Sequence, residues 1–148
     1  MRPASGLHLG IDRRGAAQTQ NIFQYLRAGD HLRIRARGAP YHERAFLFVL
    51  ATIEYLQSRL EVRRHVSGAE LAWACRDFAR DQFGLLAESV LAHWGITRTE
   101  DFGRIVFTLV EIGLLVTQPG DQVEDFDRVY NFAEAFGDVY RWSGVRGA

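Results

Sequence analysis

The stretch that decides the fold runs from His65 to Gly113: His65-Val66-Ser67-Gly68-Ala69-Glu70-Leu71 opens it, Phe83-Gly84 and Trp94-Gly95 divide it, and Thr97-Arg98-Thr99-Glu100 leads into its last part, Phe102 to Gly113. Ser67 and Glu70 have the spacing of a capping box, and Val66 and Leu71 sit where a hydrophobic staple closes, so a helix is predicted to begin at Gly68. Leu71, Ala74, Cys75, Phe78, Ala79 and Phe83 recur on one face of it, and Gly84 ends it. A second helix carries Leu86, Ala87, Val90, Leu91 and Trp94, with Gly95 at its C-terminal cap. Thr97 and Glu100 repeat the capping-box spacing and predict a third helix, with Phe102, Ile105, Val106, Leu109 and Val110 inside and Gly113 at its end. Three helices joined by a few residues each imply a compact helical cluster.

Upstream, residues 41 to 60 hold the longest apolar-periodic run. Ala45, Val49, Thr52, Leu56 and Leu60 share a face that Phe46, Phe48, Ile53 and Tyr55 broaden, which predicts the central buried helix. Arg59, Arg63 and Arg64 follow, where positive charge suits a helix C-terminus. Ile22, Phe23 and Leu26 predict a short helix over residues 19–28, stopped by Gly29-Asp30. His31 to Arg37 alternates apolar and basic residues, the pattern of a strand with one basic face or of a basic loop. Residues 1–17, with Pro3, Gly6, Gly10 and Gly15, are expected to be a flexible tail. The domain is then 18–142, and 143–148 a second tail.

Downstream, Leu114-Leu115-Val116 fits a short strand, Pro119-Gly120 a turn, and Val129 to Phe132 a returning strand, which together would make a small C-terminal hairpin. An echo competes with that reading: Glu100-Asp101-Phe102-Gly103-Arg104-Ile105-Val106 and Glu124-Asp125-Phe126-Asp127-Arg128-Val129-Tyr130 share four identities. If the first copy starts a helix, the second could too. The expected class is mainly α, about five helices with at most this hairpin. Helix, helix, helix, strand, loop, strand is also the order of a winged-helix domain.

One core suffices at 148 residues with 47% hydrophobic content, and no disulfide or metal is needed to hold it. Cys75 is the single cysteine and falls among apolar neighbours. The N-terminal residues lack an apolar stretch of secretory length, and the longest apolar run, Ala45 to Ile53, is about half of a membrane span, so a cytoplasmic chain without membrane insertion is expected. Net charge is zero but unevenly spread. Residues 1–40 carry seven arginines against Asp12 and Asp30; residues 100–138 carry nine acids against Arg104 and Arg128. A basic arm can meet a polyanion or fold back on its own acidic face, and the second needs no partner.

The block His65 to Leu71, Gln82-Phe83-Gly84 and His93 to Phe107, continued by Leu109-Val110-Glu111, Gly113-Leu114-Leu115, Glu124-Asp125-Phe126, Tyr130-Asn131-Phe132 and Glu134-Ala135-Phe136, resembles a family of uncharacterised bacterial proteins known mainly from planctomycete and verrucomicrobial genomes. The resemblance covers about residues 40 to 140. It implies no activity, cofactor or catalytic residue to carry over.

Each chemical reading meets a simpler one. A winged-helix wing at 117–128 would present Asp121, Glu124, Asp125 and Asp127 to phosphates, the wrong sign for duplex binding. The same acids fail as a calcium loop, because Val123, Phe126 and Phe132 fall on ligand or glycine positions. His42, His65 and His93 have no metal-binding spacing. His65 or His93 with Glu70, Glu100 or Asp101 could form an acid–base pair, yet the glutamates already have cap roles and His93 suits a helix C-terminus. No phosphate loop, nucleophile elbow or zinc-protease motif occurs. No cofactor and no catalysis are therefore expected. The C-terminal aromatics Phe126, Tyr130, Phe132, Phe136, Tyr140 and Trp142 are too many for one short stretch to bury, so they are expected to dock on a protein partner or a second copy. The alternative is RNA binding by Arg27, Arg33, Arg35 and Arg37 beside Phe23, Tyr25 and His31.

Overall fold

The structure, a computed structural model, describes residues 28–38 and 40–137 and the backbone of residues 7–9. The described chain is mainly helical: α1 (Ala28–Arg37), α2 (Glu43–Arg59), α3 (Gly68–Phe83), α4 (Ala87–His93) and α5 (Thr99–Glu111), with 3-10 turns at Gly84–Leu86 and Val123–Phe126 and a further helical turn over 132–137. Among the described residues no helix is long and apolar enough to cross a membrane.

α2 is the central helix, as its periodicity predicts, and it is covered almost all round. Ala45, Phe46, Phe48, Val49, Leu50, Ala51, Thr52, Ile53 and Glu54 are all buried. A helix buried on every side must also bury its polar members, so Thr52 returns its hydroxyl to the Phe48 carbonyl at 2.8 Å. α3 begins where the capping box places it: the Glu70 backbone donates to Ser67 Oγ, and Ser67 N–H donates to Glu70 Oε1 at 2.8 Å. Val66 and Leu71, the two halves of the staple, are both buried. Gly95 and Gly113 follow α4 and α5 with φ of 98° and 88°, conformations that L side chains rarely adopt.

Three local expectations are corrected. Residues 31–37 belong to helix α1, not to a strand or loop. The alternating pattern misleads because only Ile34 is taken into the core, while Leu32 is 63% exposed. Gly29-Asp30 lies inside the helix, where Asp30 in the first turn and Arg35 and Arg37 in the last turn suit the dipole. α5 is capped one residue later than Thr97-Glu100 suggests: Asp101 accepts from Thr97 N–H at 2.8 Å and Arg98 N–H at 3.1 Å. Finally, the C-terminal hairpin does not form. β2 (Leu115–Thr117) pairs antiparallel with β1 (Leu7–Leu9), a segment expected to be part of a tail, in the register Leu7 opposite Thr117. Without that second strand the winged-helix order is not completed.

The echo in the sequence has a structural counterpart. In the second copy Asp125 accepts from Gln122 N–H at 3.0 Å, as Asp101 does from Arg98, but the turn stops as a 3-10 helix after Phe126. The short helix predicted over residues 19–28 lies, apart from Ala28, outside the described residues.

Candidate functional site

Residues 126–137 carry most of the expected interface, and four of its six members are described. Phe126, Phe132 and Phe136 are 1%, 7% and 5% exposed and belong to the core of this chain. Thr99 holds the segment in place, donating its hydroxyl to the Phe126 carbonyl at 2.6 Å and accepting from Val129 N–H. Tyr130 is half-buried; its hydroxyl donates to the Ala72 carbonyl at 2.8 Å, and burial pushes its pKa up. The aromatics thus cover one another, Phe132 lying 6.0 Å from Phe102 and 5.1 Å from Phe136. Tyr140 and Trp142 lie outside the described residues.

The candidate nucleic-acid arginines meet carboxylates of their own domain. Arg33 binds Asp30 at 2.6 Å, Arg35 binds Glu43 at 3.1 Å, and Arg37 binds Glu111 at 2.7 Å, although they are 74 residues apart. Glu43 is also 2.6 Å from His31 Nδ1, and these hydrogen bonds, led by His31, hold its pKa below the ordinary carboxylate value. Arg27 lies outside the described residues. The acid–base candidates are likewise engaged in structure. His65 Nε2 accepts from the Gln118 amide, Glu100 accepts from Arg128 N–H, and Asp101 accepts from Tyr41 as well as from its own helix start. His93 is exposed, its ring 6.4 Å from that of His42 and tilted to it; His42 Nδ1 caps α2.

Among the described residues, a groove of about 300 Å³ lies between the second half of α2 and the first half of α3. Tyr55, Leu56, Arg59 and Leu60 line it from α2, Arg64 from the loop between the helices, and Glu70, Trp73, Ala74 and Asp77 from α3. It contains no histidine. Its shape is held from below: Glu54, wholly buried, takes Arg63 at 2.8 Å, and Gln57 bonds both the backbone N–H and the carbonyl of Arg64. Arg64 then reaches Glu70 at 2.9 and 3.2 Å, and this pairing lowers the Glu70 pKa below its usual value.

Two aromatic rings face solvent here with cations on them. Arg59 lies 4.5 Å over Tyr55, and Arg76 lies 4.8 Å over Trp73. Trp73 is 40% exposed and rests on Tyr130, ring to ring at 4.6 Å. Arg76 and Arg64 have carboxylate partners; among the described residues the Arg59 guanidinium has none. The sequence holds the signal for this site. Glu70, Trp73 and Asp77 fall at i, i+3 and i+7 on the polar face of α3, and a tryptophan among charges is the residue out of place.

Comparison of the chain with models of protein families, with curated proteins and with solved structures finds no match.

Proposed function

We propose that this chain is a non-catalytic interaction module, and that the groove between α2 and α3 takes an aromatic or large apolar side chain of a protein partner that carries a carboxylate beside it. The observation that carries this reading is Arg59: a guanidinium stacked on Tyr55, without a carboxylate among the described residues, lining the same apolar-floored groove as the exposed Trp73. Tryptophan, tyrosine and arginine are the residues that dominate binding energy at protein interfaces. Arginine also binds carboxylates in a two-pronged geometry that fixes orientation. A volume of about 300 Å³ is at the small end for ligand sites and suits one anchoring side chain.

The experiment is a binding titration of labelled peptides that pair Trp, Tyr or Phe with Asp or Glu two to four residues away. Saturable binding that disappears in both Arg59→Gln and Trp73→Ala supports the reading. If every such peptide fails to bind, or binds these variants as well as the unsubstituted chain, the groove is not a docking site.

A further inference from the structure

The groove has a complement at the other end of α3. The helix ends at Phe83, Gly84 turns the chain with φ of 56°, and the 3-10 turn that follows sets Leu85 and Leu86 outward, 53% and 64% exposed. Glu88, two residues on in the first turn of α4, is exposed as well, and among the described residues no cation meets its carboxylate. Single leucines are ordinary on a surface, but two side by side with an unneutralised acid next to them form a contact patch. A large apolar side chain with a carboxylate two or three residues away is also the pairing that Trp73 and Arg59 call for.

This corner cannot fill its own groove. Trp73 and Gly84 are eleven residues apart on one helix, about 16 Å along its axis. Eleven residues are also about three full turns, so groove and corner lie towards the same side of α3. Two copies of α3 laid antiparallel therefore bring the corner of each to the groove of the other. Arg80 and Asp81 lie midway between Trp73 and Leu86, and among the described residues neither has an ion-pair partner, so in that arrangement each copy's Arg80 comes within reach of the other copy's Asp81. Resting on the interaction reading, we infer that the groove's partner is a second copy of this chain: two molecules pair along α3, each seating Leu85 or Leu86 between Tyr55 and Trp73 of the other, with Glu88 on the other's Arg59. The arrangement is closed, because a two-fold axis gives every contact twice and leaves neither groove open, so growth stops at two. Another protein that fills the groove takes the pair apart.

The test is sedimentation of the full chain over a wide concentration range. A monomer–dimer equilibrium with no larger species is expected. Leu85→Ser with Leu86→Ser should weaken dimerisation about a hundred-fold, because each dimer loses two buried apolar contacts. Arg59→Glu should weaken it about ten-fold or more, because it sets like charges together at two places. All these positions are on the surface, so circular dichroism should show each variant folded. Adding Glu88→Arg to Arg59→Glu in one chain should restore the dimer. An equimolar mixture of the leucine variant and Arg59→Glu should associate more than either alone, because only the mixed pair has one intact groove facing one intact corner. A chain that stays monomeric, a dimer indifferent to these substitutions, or an open-ended series of larger species overturns the inference. If the chain is monomeric and an acidic–aromatic peptide still binds through Arg59 and Trp73, the second copy is lost and the interaction reading stands; if that peptide fails too, both are lost.

Discussion

Phe126 shows how one residue closes this fold. Its ring lies against two glycines on two helices: a Cβ built on Gly68 would come 3.0 Å from the ring, and one on Gly103 would come 3.0 Å from it as well. In an ordinary exposed helix position, changing glycine to alanine stabilises by about 1 kcal/mol. At Gly103 the methyl group would push a fully buried ring whose backbone carbonyl is tied to Thr99, and overpacking of that kind costs about 1–3 kcal/mol. Gly103→Ala should therefore lower stability in denaturant titration despite its better helix propensity, and Phe126→Leu, by shrinking the ring, should soften that loss. Equal or greater stability for Gly103→Ala would mean that the 126–129 segment is not packed as described. The sequence marks Phe126 as one aromatic too many for a short stretch. It gives no sign that two glycines, 35 residues apart, make the socket, because that depends on how α3 and α5 approach each other.

At the scale of elements, what was legible follows from whether a signal is local. The start of α3 is written in four consecutive residues, Ser67 to Glu70, and forms as written. The ends at Gly95 and Gly113 are equally local. α1 does not show in the sequence as a helix because its one buried apolar residue, Ile34, cannot declare a period. The partner of β2 cannot be read from the sequence, because a three-residue strand carries no information about what pairs with it. The groove is legible only in part: Trp73 among charges marks one wall, but the juxtaposition of the two walls depends on the loop clamped by Glu54, Gln57 and Glu70. The cap of α5 offers a test at this scale. Tyr41, in the link between α1 and α2, donates to Asp101 at 2.6 Å, and burial, followed by this hydrogen bond, raises its pKa to about 12. A phenol whose pKa is higher in the folded than in the unfolded state adds stability in full below its unfolded value of about 10, and loses it as pH rises towards 12. The chain contains no lysine, so no ammonium group titrates beside it in that window. Stability should fall between pH 10 and 12 in the unsubstituted chain, and the fall should be shallower in Tyr41→Phe. Identical slopes would show that Tyr41 is not engaged with the start of α5.

Across the whole molecule, the arginines of α1 are met by carboxylates of the same chain, one of them, Glu111, from the acidic stretch 100–138. Arg33, Arg35 and Arg37 of α1 meet Asp30, Glu43 and Glu111, three cations against three anions, so this face presents little net field to a polyanion. The pairs are not rigid barriers, because the arginine side chains are 53–66% exposed and exposed ion pairs are worth at most about 1 kcal/mol each. Phosphates can still compete, but each contact they gain must first break one. Removing the anions should therefore reveal what removing the cations cannot. In a titration with single-stranded poly(U) at low salt, Glu43→Gln with Glu111→Gln should bind more tightly than the unsubstituted chain, and more steeply with falling salt, because Arg35 and Arg37 are released. Arg33→Gln with Arg35→Gln and Arg37→Gln should change the affinity of the unsubstituted chain little. A large loss in that triple variant would mean that the arginines already serve a nucleic acid, and the module would then have to be read as an RNA-binding one with its carboxylates as guards.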